Sequence, residues 1–196
     1  PEELPGLRYG HLYRSATQGA RVGGDFYDIF EVKKGRLVIL IGDVSGHGVE
    51  AARIATLVKD VVNAFSHQYK HPRLVLDRTN DLLIQKGTPG FVTIFLGIVD
   101  PQTRILTYSS AGHPNALVRS EAGTVTRLRA AAPPLGVFPD QLWTEYQTPL
   151  GERDVLFLYT DGALEARRDG EFFGQERLEA VLRRWSDPHP EGRLQV

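Results

Sequence analysis

Three observations predict an α+β fold built mainly on antiparallel sheet. Short apolar runs rich in Val, Ile, Leu and Phe recur along the chain and read as strands. Several of these runs are separated by only a few turn-forming residues, which joins them as hairpins. The two long helical patterns follow one another between residues 49 and 86. Strands and helices therefore do not alternate as they would in a doubly wound parallel fold. The length of 196 residues suits one domain, and no internal repeat or domain boundary is visible.

In chain order, Leu7 to Tyr13 partly alternates and is predicted as an opening strand. Asp25 to Val32 is a second, closed by the turn Lys33-Lys34-Gly35. The unbroken apolar run Arg36 to Ile41 predicts a strand buried on both faces, with Asp43 at its end. Val49 to Gln68 has helical spacing, with Ala51, Ala55, Val58, Val62 and Phe65 on one face. Pro72 suits the first turn of a second helix running to about Lys86, broken by Gly87 and Pro89-Gly90. Phe91 to Val99 and Arg104 to Ser110 form a hairpin around Asp100-Pro101-Gln102-Thr103. Asn115 to Arg119 and Thr124 to Arg129 form another, with Gly123 in its turn. Leu142 to Thr148 and Asp154 to Tyr159 are predicted strands. Gln175 to Trp185 is predicted as a helix with Leu178, Val181 and Leu182 inward, followed by an irregular tail from Ser186 to Val196.

Composition excludes several function classes. With 23 basic and 24 acidic residues the net charge is −1, which leaves no electrostatic footprint for nucleic acid. The chain has no Cys, so disulfide scaffolds, thiolate zinc sites and cysteine-based phosphoryl transfer are out. This suits a cytoplasmic location. No apolar stretch reaches the roughly 18 residues of a membrane span. There is no Met, and the first residue is Pro1, so the expectation is a piece of a longer chain.

Three aspartate-glycine segments carry the chemistry: Gly23-Gly24-Asp25, Gly42-Asp43-Val44-Ser45-Gly46-His47-Gly48, and Tyr159-Thr160-Asp161-Gly162. Each sets a carboxylate where a strand-like run gives way to glycine, or close beside such a junction. Taken singly, each also reads as an ordinary Asp-Gly turn. Together they predict a shared oxygen cage for hard divalent cations, suited to metal-assisted phosphate chemistry. The second segment lacks the Gly-Lys-Ser/Thr ending of a Walker phosphate loop. Ser45 has Asp43 two positions before it, so it is no Gly-x-Ser-x-Gly nucleophile. His113 in Ala111-Gly112-His113-Pro114 and His47 are loop histidines for which structural and catalytic roles both stand. Thr93 reads as a strand residue, Glu165 as a helix-start acid or outer partner of the site, and Arg167-Arg168 as a solvated pair.

The ordered set Val22-Gly23-Gly24-Asp25-Phe26-Tyr27-Asp28, Gly42 to Gly48, Phe91-Val92-Thr93, Ala111 to Pro114, Pro134-Leu135-Gly136 and Tyr159 to Ala166 resembles the SpoIIE/RsbU-like bacterial serine phosphatases. These belong to the metal-dependent, type 2C-like protein phosphatase superfamily. The resemblance covers roughly residues 4 to 185. It implies a four-layer αββα sandwich of two mainly antiparallel sheets flanked by helices. It implies two Mn2+ or Mg2+ ions, with Asp43 bridging both, the backbone carbonyl of Val44 on one, Asp161 on the other, and Asp25 binding directly or through water. A metal-bridged hydroxide would then attack the phosphorus of phosphoserine or phosphothreonine, and His113 would be a candidate acid for the leaving oxygen.

By the same resemblance the substrate would be a phosphorylated STAS-domain anti-anti-sigma protein in sigma-factor signalling. Relatives often carry an upstream sensor or regulatory domain, so the expectation is that residues 1–196 form a single phosphatase domain lacking that upstream region. Relatives also end with an Asp-Asp-x-Thr segment on a last strand, which this sequence does not contain before Val196. The expectation is that this strand lies beyond the chain. The alternative is a catalytically impaired relative that binds phosphoproteins.

Overall fold

The computed structural model describes residues 7–12, 23–129, 131–168 and 170–185. The larger sheet has the order β1-β2-β3-β4-β7, antiparallel throughout. Its strands are β1 (Phe26–Val32), β2 (Arg36–Val44), β3 (Val92–Asp100), β4 (Ile105–Ala111) and β7 (Tyr146–Pro149). The smaller sheet has the order β6-β5-β8, from β5 (Leu117–Arg119), β6 (Val125–Arg127) and β8 (Val155–Phe157). Two long helices, α1 (Val49–Gln68) and α2 (Pro72–Gln85), follow β2. After β8 come α3 (Asp161–Glu165), the small β9/β10 hairpin (Arg167–Arg168 with Glu171–Phe172) and α4 (Gly174–Arg184).

Strand side chains alternate between faces, and in β2 this alternation separates two cores. Val38, Leu40 and Val44 join Ile54, Val58, Val62, Val75 and Leu76 of α1 and α2. Leu37 and Ile39 face the other way, with Phe95, Val99, Leu106 and Tyr108, onto Val118 of the smaller sheet and Ala116 and Leu128 beside its strands. Behind the smaller sheet, Leu117 and Tyr159 pack on Leu178 and Leu182 of α4. The layers are therefore helices, sheet, sheet, helix. The αββα sandwich is confirmed, and no described helix is long and apolar enough to cross a membrane.

Several boundaries differ from the sequence prediction, each for a physical reason. Asp25 lies just outside β1, and β2 runs three residues further than Ile41, so Asp43 is still paired in the sheet opposite Thr93. The predicted strand from Leu142 shrinks to Tyr146–Pro149. Leu142 is exposed, while Trp143 turns into the helix-side core and its indole N–H donates to the Pro133 carbonyl. Val181 is partly exposed because Glu179 takes the inward place on α4, held by Arg127 and Arg183. Phe65 is only partly buried at the margin of its core. Leu7 forms a single bridge and residues 8–12 no strand. Tyr13, Val22 and the tail from Ser186 lie outside the described residues.

Between β6 and β7 the chain crosses the edge of the larger sheet. Val92 and Leu135 exchange both backbone hydrogen bonds, 3.0 and 2.9 Å. Asn80 of α2, almost fully buried, fixes the next turn of this crossing. Its amide nitrogen donates to the Phe138 carbonyl and its oxygen accepts from the Gly136 N–H. Asn80→Ala would strand both backbone groups, so we expect a loss of about 1–3 kcal/mol, read as a lower urea midpoint with an unchanged slope.

Candidate active site

The site grows out of the inter-sheet face. Leu37 and Ile39 point between the sheets, and the same parity carries Asp43 to that face at the end of β2, where the sandwich opens. On β3, Thr93 shares the face with Phe95 and pairs directly with Asp43. Asp25 arrives from the segment before β1, and Asp161 opens the short helix α3 after β8. Three residues far apart in the chain thus reach one edge of the sandwich.

Backbone contacts lock this edge. Val44 N–H donates to the Gly24 carbonyl at 3.2 Å. A β-carbon at Gly24 would lie 2.2 Å from the Val44 carbonyl oxygen and 2.7 Å from Asp43 Oδ1, so only glycine fits here. Ser45 clamps the next residue pair: its N–H donates to the Phe91 carbonyl (2.9 Å), and its hydroxyl accepts the Phe91 N–H (2.8 Å). Ser45 is therefore a structural bridge between the Asp43 loop and the start of β3. Sequence reasoning considers it only as a nucleophile.

The carboxylates feel one another. Burial, then the charges of Asp25 and Asp161, push Asp43 up to about 6, against an opposing hydrogen bond from the Val44 backbone. Burial also raises Asp25, opposed by a hydrogen bond from the Thr160 hydroxyl and reinforced by the Asp161 charge. Neither aspartate has a lysine or arginine ion-pair partner among the described residues.

Asp43 and Asp161 line a cleft of about 450 Å³ with Ser45, Phe91, Thr93 and His113. Leu164 and Gln175, neither anticipated from sequence, complete one wall. Among the described residues no lysine or arginine lines it. Asp25 lines a second hollow with Tyr27, Asp28 and Lys59. His113 is buried, 3% exposed, with Nδ1 3.0 Å from Thr93 Oγ1 and Nε2 3.1 Å from the Tyr159 carbonyl. Burial holds it down at about 4, so the ring is neutral near pH 7. His47 is exposed and does not line the cleft. Glu165 is exposed at the end of α3, and the Arg167 guanidinium lies 4.3 Å from the Phe172 ring centre.

The donor set suits a divalent cation. The Val44 carbonyl and an Asp43 carboxylate oxygen, both hard oxygen donors, stand side by side against Gly24. Burial and then the neighbouring charges of Asp25 and Asp161 disfavour the Asp43 carboxylate, and a shared cation relieves that charge repulsion. Among the described residues no three acidic or histidine side chains form a ready-made cage. The set therefore fits ions completed by backbone oxygen and water, as small hard cations are commonly bound.

Comparison with known proteins agrees with the fold. The family profile described as Stage II sporulation protein E (SpoIIE) matches residues 33–195. The chain is similar to the phosphoserine phosphatase RsbP of Bacillus subtilis, 30% identical over 74% of this chain and 38% of RsbP. It is 27% identical to the phosphoserine phosphatase RsbU of the same organism, over 83% of this chain and 49% of RsbU. The chain thus spans less than half the length of either relative. Among solved structures, the RsbU and RsbW domains of Rv1364c from Mycobacterium tuberculosis match with a TM-score of 0.70 and 27% identity, covering 85% of this chain and 45% of that one.

Proposed function

We propose, starting from a chain that belongs to the SpoIIE family, that it is a metal-dependent protein serine/threonine phosphatase. Its substrate on this reading is a phosphoserine or phosphothreonine on a STAS-domain protein in sigma-factor signalling. The observation that carries the reading is the approach of Asp25, Asp43 and Asp161 to one edge of the sandwich, close enough that the charges of Asp25 and Asp161 add to burial in raising Asp43. The matched phosphoserine phosphatases RsbP and RsbU support the reaction class.

Asp43, Asp161 and the Val44 carbonyl would hold two Mn2+ or Mg2+ ions, with Asp25 joining directly or through water. When bound, such ions activate water for attack on phosphorus and offset charge on the phosphoryl oxygens. The protein's own residues supply placement. Among the described residues no lysine or arginine lines the cleft, so Asp43 and Asp161 there repel a phosphate dianion until cations are present. Gly24 and Ser45 fix the backbone around Asp43. Phe91 and Leu164 give the cleft apolar walls that receive the side chain bearing the phosphate.

The test is release of phosphate from a phosphorylated STAS-domain protein by the full-length protein. Chelation should abolish turnover, and Mn2+ should restore it. No turnover on that protein or on a generic phosphoester, with Mn2+ supplied, would refute the assignment. One observation favours a second reading, a phosphoprotein-binding relative without turnover: side chains alone close no ion cage among the described residues. Phosphoprotein binding that is indifferent to Mn2+ would select it.

A further inference from the structure

We propose that His113 is a neutral spacer that sets the distance between the two halves of the acidic site, with Thr93 as its partner. The inference rests on the phosphatase reading for what the cleft does, while its hydrogen-bond geometry stands independently.

Proton positions assign the roles. The Tyr159 carbonyl can only accept, so Nε2 of His113 carries the hydrogen that spans 3.1 Å to it. A neutral imidazole then has a bare Nδ1, which must accept from the Thr93 hydroxyl 3.0 Å away. Burial keeps the ring in this neutral form. The Thr93 proton is thereby committed to His113. The remaining acceptor capacity of Oγ1 is left for the cleft that Thr93 lines.

The path links the two sheets. Thr93 sits in β3, in register with Asp43. Tyr159 follows β8 of the other sheet and stands two residues before Asp161. His113 itself is on the corner after β4. That corner is anchored: Gly112 N–H donates to the Ala132 carbonyl, and Gly112 has φ of +65°, packed against Pro134. Tyr159 is tied on its far side as well, its phenol donating to Gln175 Oε1 at 2.8 Å. An unbroken series of contacts therefore runs from Asp43 through Thr93 and His113 to the turn bearing Asp161.

The arrangement also resembles a hydroxyl-imidazole nucleophile pair, and that role is disfavoured. A nucleophile's base is oriented by a group that stabilises its charged form, typically a carboxylate. Here the third member is a neutral carbonyl, and the ring is a weak base. His113 and Thr93 are positioning residues.

Two measurements on the full-length protein test this. First, nitrogen NMR of the metal-free protein, with the His113 signal assigned by its loss in His113→Gln, should show a neutral ring with hydrogen on Nε2 near neutral pH. A ring that titrates near its ordinary value of about 6.5 overturns the proposal. Second, calorimetry with Mn2+ alone compares two variants. Glutamine can still donate to the Tyr159 carbonyl and should bind Mn2+ much as wild type does. Asparagine reaches only Thr93, and binding should weaken roughly 10–100-fold, as for other residues that orient a metal ligand. A folded His113→Asn protein with wild-type Mn2+ affinity overturns the spacer role. Failure of the wild type to bind Mn2+ would refute the phosphatase reading instead, and the ring's tautomer would still decide the proposal.

Discussion

Asp43→Asn is expected to cut phosphatase turnover by more than the roughly 100-fold loss typical of removing an outer partner of a metal ligand. The same change should make the metal-free protein more stable. In the folded state Asp43 is held at about 6, above its ordinary 3.8, so the folded protein binds the proton more tightly than the unfolded chain. Stability of the metal-free wild type therefore falls as pH rises from 3.8 through about 6, and the full penalty applies above that. Asparagine has no charge to repel and escapes the penalty. After allowance for solvent screening in a half-open cleft, the gain is about 1 kcal/mol, or ~2–4 °C in Tm for a chain of this size. Melting curves without metal should show the variant ahead above about pH 6 and level with wild type near pH 4. With Mn2+ the order should reverse, because only the wild type gains ligand-linked stability. A variant that is active, or less stable than wild type without metal above about pH 6, contradicts this assignment of Asp43.

Gly24→Ala is the second large effect, and it is purely steric. The added methyl would meet the Val44 carbonyl oxygen at 2.2 Å and Asp43 Oδ1 at 2.7 Å. The first obstacle is backbone, which cannot swing aside as a side chain would. The segment before β1 must therefore separate from the end of β2, losing the Val44 to Gly24 hydrogen bond and moving two of the donors assigned to the ions. We expect a loss of stability of about 1–3 kcal/mol from overpacking. Turnover should fall by more than the loss of folded protein explains. Urea unfolding and Mn2+ calorimetry together check this, and wild-type behaviour in both would remove Gly24 from the site.

The parts of the fold that were legible in the sequence are those with an extended pattern. The unbroken apolar run of β2 and the helical stripe of α1 each span enough residues to fix the element, and the stripe also fixes the inward face of α1. The position of Asp43 followed, since a buried strand ending in Gly42-Asp43 must deliver that carboxylate to the sheet's end. Short elements were not legible. Helix α3 has five residues, too few to show a period, and its first residue is Asp161. Contacts between distant residues were equally hidden. Ser45 and Phe91 are 46 positions apart, and nothing local marks Ser45 as a clamp. Ala-Gly-His-Pro reads as a loop joining two strands, and nothing local shows that His113 is buried and spans to the Tyr159 carbonyl beyond β8. Glu179 displaced Val181 from the inward face of α4 because two arginines and Gln175 satisfy its buried carboxylate, a solution that hydropathy alone cannot display.

The convergence of Asp25, Asp43 and Asp161 on shared cations is most directly tested by anomalous diffraction from crystals of the full-length protein soaked in Mn2+. The expected map has manganese peaks at the open edge of the sandwich, within bonding distance of Asp43 and Asp161 and beside the Val44 carbonyl, with Asp25 on the same ions directly or through water. Peaks confined to other surfaces, or none there at saturating Mn2+, would contradict it.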